Sequence, residues 1–81
     1  MKLIYDPRYN VAYLRLQEKT AQVETIRISD TLNIDVAPDG SIYGIEMLNA
    51  NEQLLGKEDG KLIVENEATG TVTEVELKLK S

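Results

Sequence analysis

The stretch TLNIDVAPDGSIYGIEML, Thr31 to Leu48, decides the fold. In its first arm Leu32, Ile34 and Val36 alternate with Asn33 and Asp35, the period of two expected of a strand with one buried face. Ala37-Pro38-Asp39-Gly40-Ser41 supplies the turn: Pro presets the first dihedral, Asp supports the second, and Gly takes the left-handed position of a three-residue hairpin loop with a bulge. The second arm, Ser41 to Leu48, therefore pairs antiparallel with the first. Counting back from Ala37 opposite Ser41 sets Val36 against Ile42, Ile34 against Gly44 and Leu32 against Glu46. This second arm is apolar on both faces, with Ile42 and Leu48 on one and Tyr43, Ile45 and Met47 on the other. Such a strand belongs in the middle of a sheet or at a subunit contact.

The same period extends outward. Leu3-Ile4-Tyr5 and Val11 to Gln17 read as two strands joined by the turn-rich Asp6 to Asn10, with Ala12, Leu14 and Leu16 on one face and Val11, Tyr13 and Arg15 on the other. Val23 to Ser29 is a further strand, ended by Ser29-Asp30. Beyond Leu48, Asn49 to Gly56 is the one helical segment: Asn49 is placed to cap it, Glu52 has capping-box spacing and Gly56 can end it. It is too short to stand alone, so Leu54 and Leu55 must pack on the sheet. Lys57-Glu58-Asp59-Gly60 is a polar turn. Lys61 to Glu65 and Thr71 to Lys80 then form a last hairpin through Asn66 to Gly70, with Val75, Leu77 and Leu79 facing one way and Glu74, Glu76, Lys78 and Lys80 the other. The expected fold is mainly β, an antiparallel meander of six to seven strands with one short helix near residues 50–55. It forms a single domain over residues 1–81, a β core with its helix over 1–55 followed by a hairpin over 57–81.

The composition of this 81-residue chain excludes several chemistries. It holds no His and no Cys, which removes Ser-His-Asp and Cys-His catalysis, thiol redox work, iron–sulfur ligation and the usual zinc sets. Nine Lys and Arg against 14 Asp and Glu give a net charge of −5, which argues against a nucleic-acid partner. No apolar run approaches the roughly 20 residues of a membrane span, and the start meets Asp6 and Pro7 too soon for a signal peptide, so the cytoplasm is the expected compartment. A chain this small makes a thin core, and pairing with a second copy is the available way to thicken it.

Residues 1–55 resemble the small bacterial family catalogued as domain of unknown function 2283. The resemblance is carried by Tyr5-Asp6, Ala12-Tyr13-Leu14-Arg15-Leu16, Ser29-Asp30, Ile34-Asp35-Val36, Asp39-Gly40, Gly44-Ile45-Glu46-Met47-Leu48 and Ala50. Asn10 stands where that family usually has an acidic residue, and Asn49 stands in place of Asp, which weakens a shared carboxylate site. The resemblance implies a compact, strand-rich bacterial protein, a partner encoded beside a small toxin-like protein, with no activity attached.

Among single residues Glu46 comes first. On the counted register it lies on an apolar strand face, where a carboxylate needs a partner or a raised pKa. The structural alternative is a pair with Arg15 or Arg27 across the sheet. Asp6, Asp35 and Glu46, with help from Asp30 or Asp39, could supply oxygens to magnesium or calcium, although turn duties already occupy Asp39 and fit Asp30 and Asp6. Tyr5, Tyr9, Tyr13 and Tyr43 are the candidate interaction face, or else cover for a core without Phe or Trp. No residue is assigned a catalytic role, and no cofactor or metal is expected. The leading expectation is a non-enzymatic interaction protein, homodimeric, with an antitoxin-like or regulatory role toward a basic protein. The alternatives are a divalent-metal carboxylate enzyme of phosphodiesterase type and a small-ligand carrier holding its ligand between two sheets.

Overall fold

The computed structural model describes residues 1–18, 22–55 and 60–79. In chain order they form β1 (Lys2–Asp6), β2 (Val11–Arg15), β3 (Glu24–Ser29), β4 (Leu32–Val36), β5 (Ile42–Met47), α1 (Ala50–Leu55), β6 (Lys61–Asn66) and β7 (Thr71–Glu76). The fold is mainly β and antiparallel throughout, with one short helix, as the alternation requires.

The turn between β4 and β5 closes as its chemistry dictates. The Ala37 N–H donates to the Ser41 carbonyl at 2.8 Å and the Gly40 N–H to the Ala37 carbonyl at 2.9 Å. Gly40 takes φ 90°, a conformation costly for any side chain. Asp39 Oδ1 accepts from the Ser41 hydroxyl at 2.7 Å and its N–H at 2.9 Å, and these bonds, the hydroxyl's first, hold the Asp39 carboxyl below its ordinary value.

Val36 faces Ile42 as counted, and the register then shifts. Asp35 lies opposite Gly44, Ile34 opposite Ile45, Asn33 opposite Glu46 and Leu32 opposite Met47, with Tyr43 as the extra residue. The expected pairs Ile34 with Gly44 and Leu32 with Glu46 are corrected by one residue. An unbroken register would set a carboxylate and a glycine against Leu32 and Ile34. Because side chains alternate with period two, one inserted residue turns over everything beyond it and returns Ile45 and Met47 to the apolar face.

The five-stranded sheet has the order β1-β2-β5-β4-β3, and β6 and β7 form a separate two-stranded sheet. β5 is central, as expected, although the bulge leaves it one apolar face, with Ile45 and Met47, and turns Gly44 and Glu46 to the other. The order is not that of a plain meander, because after β2 the chain crosses to the far edge and returns through β3 and β4. A sequential order would have left β5 on an edge, with its ladder unpaired on one side.

The core gathers where α1 meets the sheet. Ala12, Met47 and Ala50 are buried, with Leu3, Tyr5, Leu14, Leu32, Ile45 and Leu54 packed around them. Alanines at 12 and 50 let the helix approach β2 closely. Its N-terminus is held from the β1–β2 turn by Asn10, which adopts φ 56°, a region asparagine tolerates. The Asn10 carbonyl accepts from the Ala50 N–H at 2.9 Å, its Oδ1 accepts from the Asn51 N–H at 2.7 Å, and its Nδ2 donates to Glu52 Oε2 at 3.0 Å. Asn49, the expected cap, instead accepts from the side chain of Gln53. A six-residue helix forms only when docked, and docking brings Asn10 to its first turn.

The Asn10 amide is also the main reason the Glu52 carboxyl sits below its ordinary value. A carboxyl lowered in the folded state adds stability above its unfolded pKa and loses it as pH falls through the folded one. Asn10→Ala, which removes the side-chain cap of the Asn51 N–H, is expected to lower stability by about 1–2 kcal/mol at neutral pH. The gap to wild type should narrow as pH falls below the glutamate range. Thermal unfolding followed by circular dichroism at both pH values checks this, and an unchanged midpoint at neutral pH would remove the capping role.

β6 and β7 pair from Lys61 opposite Glu76 to Asn66 opposite Thr71, and every residue of both strands is exposed. β7 ends at Glu76 rather than at Lys80. The positive φ of 25° at Lys78 breaks the alternation expected through Leu77 and Leu79, while the Leu77 N–H still bonds the Gly60 carbonyl at 2.8 Å. The expectations for Gly56, Lys57, Glu58, Asp59 and Lys80 fall outside the described residues.

Candidate functional site

The bulge at Tyr43 sorts the two faces of the main sheet. With the apolar residues turned toward α1, the opposite face carries two polar rows. One runs Ile4, Tyr13, Glu46, Asn33, Arg27, and the next Lys2, Arg15, Gly44, Asp35, Thr25. Gly44 leaves a gap in the second row, and the Tyr13 ring fills it. A Cβ at position 44 would lie 2.5 Å from Tyr13 Cζ and Oη. From there the Tyr13 hydroxyl donates to Asp35 Oδ2 at 2.8 Å, while Thr25 Oγ1 donates to Asp35 Oδ1 at 2.6 Å. On the neighbouring row Asn33 Nδ2 donates to Glu46 Oε1 at 3.0 Å.

Around this network lies an open groove of about 610 Å³. Among the described residues Ile4, Tyr13, Arg15, Glu18, Thr25, Asp35 and Glu46 line it. Among the described residues its lining thus holds three carboxylates and one guanidinium. Glu46 pairs with neither Arg15 nor Arg27: its hydrogen bond comes from the neutral amide of Asn33, and Arg27 bonds Asp30. Ionised carboxylates only accept hydrogen bonds, and their strongest partners are cationic N–H groups. The groove therefore suits an ammonium or guanidinium donor.

Of the expected carboxylates, the structure brings Asp35 and Glu46 into this groove. Asp6 ends β1 opposite Val11, and its carboxylate accepts from Arg8 Nε at 3.1 Å, Arg8 Nη2 at 3.0 Å and the Arg8 N–H at 3.0 Å. The Arg8 side chain holds that carboxyl below its ordinary value. Among the described residues no three carboxylates gather closely enough to hold a metal ion.

The four tyrosines do not share one face. Tyr5 lies on the apolar side and donates to Asn51 Oδ1, Tyr9 is exposed on the turn with the Arg8 guanidinium 5.6 Å from its ring, Tyr43 is buried, and Tyr13 belongs to the groove. Glu18 and Thr25 also line the groove, and no local pattern in the sequence marks either of them. Thr25 alternates with Ile26 on β3, and that placement would have found it once the register of β3 against β4 was known. The groove lies on the outer polar face of one sheet, not between two sheets.

The fold and site define a small antiparallel β protein with an acidic groove on one sheet face and a docked helix on the other. The family model described as Protein of unknown function (DUF2283) matches residues 2–51, and the chain belongs to that family. The match takes in β1 to β5, the groove strands and the Asn10–Asn51 contact, and leaves out the β6–β7 hairpin. No curated protein and no solved structure matches the chain. Among the described residues no helix is long and apolar enough to cross a membrane.

Proposed function

We propose that this protein is a non-enzymatic interaction module whose acidic groove receives a lysine or arginine of a basic partner protein. The observation that carries this reading is Glu46, half-buried in the groove and bonded to a neutral amide, with no cation paired to it among the described residues. Asp35 and Glu18 add negative potential beside it, and the net charge of −5 favours encounter with a basic surface. Such a partner fits an antitoxin-like or regulatory role in the bacterial cytoplasm.

An arginine-rich peptide titrated by calorimetry is expected to bind, and to bind more weakly at about 300 mM salt than at about 50 mM. Glu46→Gln, which keeps the amide contact and removes the charge, should weaken binding about tenfold. Glu74→Gln on the hairpin should leave it unchanged. Equal binding by wild type and Glu46→Gln would show that overall charge alone attracts the peptide, and would end this assignment of the groove.

A further inference from the structure

β6 and β7 place Leu62, Val64 and Val75 on one face, and all three are exposed. A lone two-stranded hairpin is marginally stable at best in water, so this face needs a second surface. The main sheet has one of the same kind. Ile26, opposite Ile34, is 42% exposed, and Ile28, the unpaired residue of the β3 bulge, is 55% exposed. Helix α1 covers a different part of the sheet, over Ala12 and Met47.

We propose that two copies of the chain exchange hairpins, with Leu62, Val64 and Val75 of each lying on Ile26 and Ile28 of the other. Each chain brings the Leu62, Val64 and Val75 face of its hairpin, the other face mixing exposed Ile63 and Val72 with Lys61, Glu65, Glu74 and Glu76, and it brings the Ile26 and Ile28 patch of its main sheet. Reciprocal exchange uses both and closes as a two-fold pair, whereas any one-way contact leaves a patch uncovered and propagates. The area is of the right order: complete cover of the exposed surface of these five residues in both copies would bury roughly 900 Å², the apolar share of a standard interface of about 1,600 Å². Ile26 faces the opposite side of β3 from the groove residue Thr25, and the contact stands independently of the partner reading above.

The chain has no cysteine, so introduced thiols report only the contact in which they are placed. Val64→Cys and Ile28→Cys, purified separately and mixed under mild oxidant, should cross-link to each other in preference to themselves. Wild type at about 100 µM should sediment as a dimer. Val64→Lys and Ile28→Lys, both at exposed positions, should keep the wild-type far-ultraviolet spectrum and sediment as monomers. Mixing the two should restore a dimer weaker than wild type, because one of its two hairpin contacts carries neither lysine. A monomeric wild type would overturn the proposal, as would an Ile28→Lys dimer as tight as wild type. Preferential self-cross-linking of Val64→Cys would overturn it in favour of hairpin-to-hairpin contact.

Discussion

Replacing Gly44 with valine is expected to lower stability by about 2–3 kcal/mol, against the usual preference of strands for β-branched residues. A Cβ at this position meets the Tyr13 ring at 2.5 Å, well inside contact distance. The ring can leave only by giving up its hydrogen bond to Asp35 and its cover over the sheet. For a domain of this size that loss corresponds to a fall of about 10–20 °C in Tm. The decisive comparison is the same substitution in a Tyr13→Ala background. There the obstruction is gone, and replacing glycine inside a strand should become neutral or stabilising by about 0.5–1 kcal/mol. A double-mutant cycle followed by urea unfolding measures the coupling. If Gly44→Val costs the same with and without Tyr13, the glycine serves something other than the tyrosine.

Met47→Ala should cost about 2–4 kcal/mol. Met47 is 7% exposed, lies opposite both Ala12 and Leu32, and sits under Ala50, so two of its closest neighbours are alanines that cannot fill the gap. Total stability for a chain of this length is roughly 4–12 kcal/mol, so this one truncation removes a large share of it. The urea midpoint should fall with an unchanged slope, while Tyr9→Ala, at a position 71% exposed, should stay within about 0.5 kcal/mol of wild type. A Met47→Ala midpoint matching that of Tyr9→Ala would mean that the helix and sheet do not pack as described.

Much of the fold was legible because its signals are local. The Pro38-Asp39-Gly40 turn, the pairing of Val36 with Ile42 and the central place of β5 follow from residues adjacent in sequence. The bulge at Tyr43 was not legible from the turn alone, yet the sequence contained its motive. Glu46 opposite Leu32 was an unfavourable pair, and one extra residue resolves it. The Asn10 contact was hidden for another reason, since Asn49 and Asn10 have the same capping chemistry. The choice between them was made by where the helix docks, 40 residues along the chain from Asn10. The groove was half visible: Asp35 and Glu46 were named, while the Tyr13 ring over Gly44 that links the two rows depends on a diagonal contact between non-consecutive strands.

By itself, then, the sequence determined the class of the protein. Period-two alternation, one strong turn and one short helix allow little else, and the absence of His and Cys removes whole classes of catalysis. Tertiary structure decided which residues share a face. A strand offers two faces that exchange on a slip of one residue, and only the burial of Leu32, Ile34, Ile45 and Met47 on a common side selects between them. That selection moved Glu46 from an apolar face to an acidic groove, and among the described residues the β6–β7 hairpin keeps Leu62, Val64 and Val75 exposed.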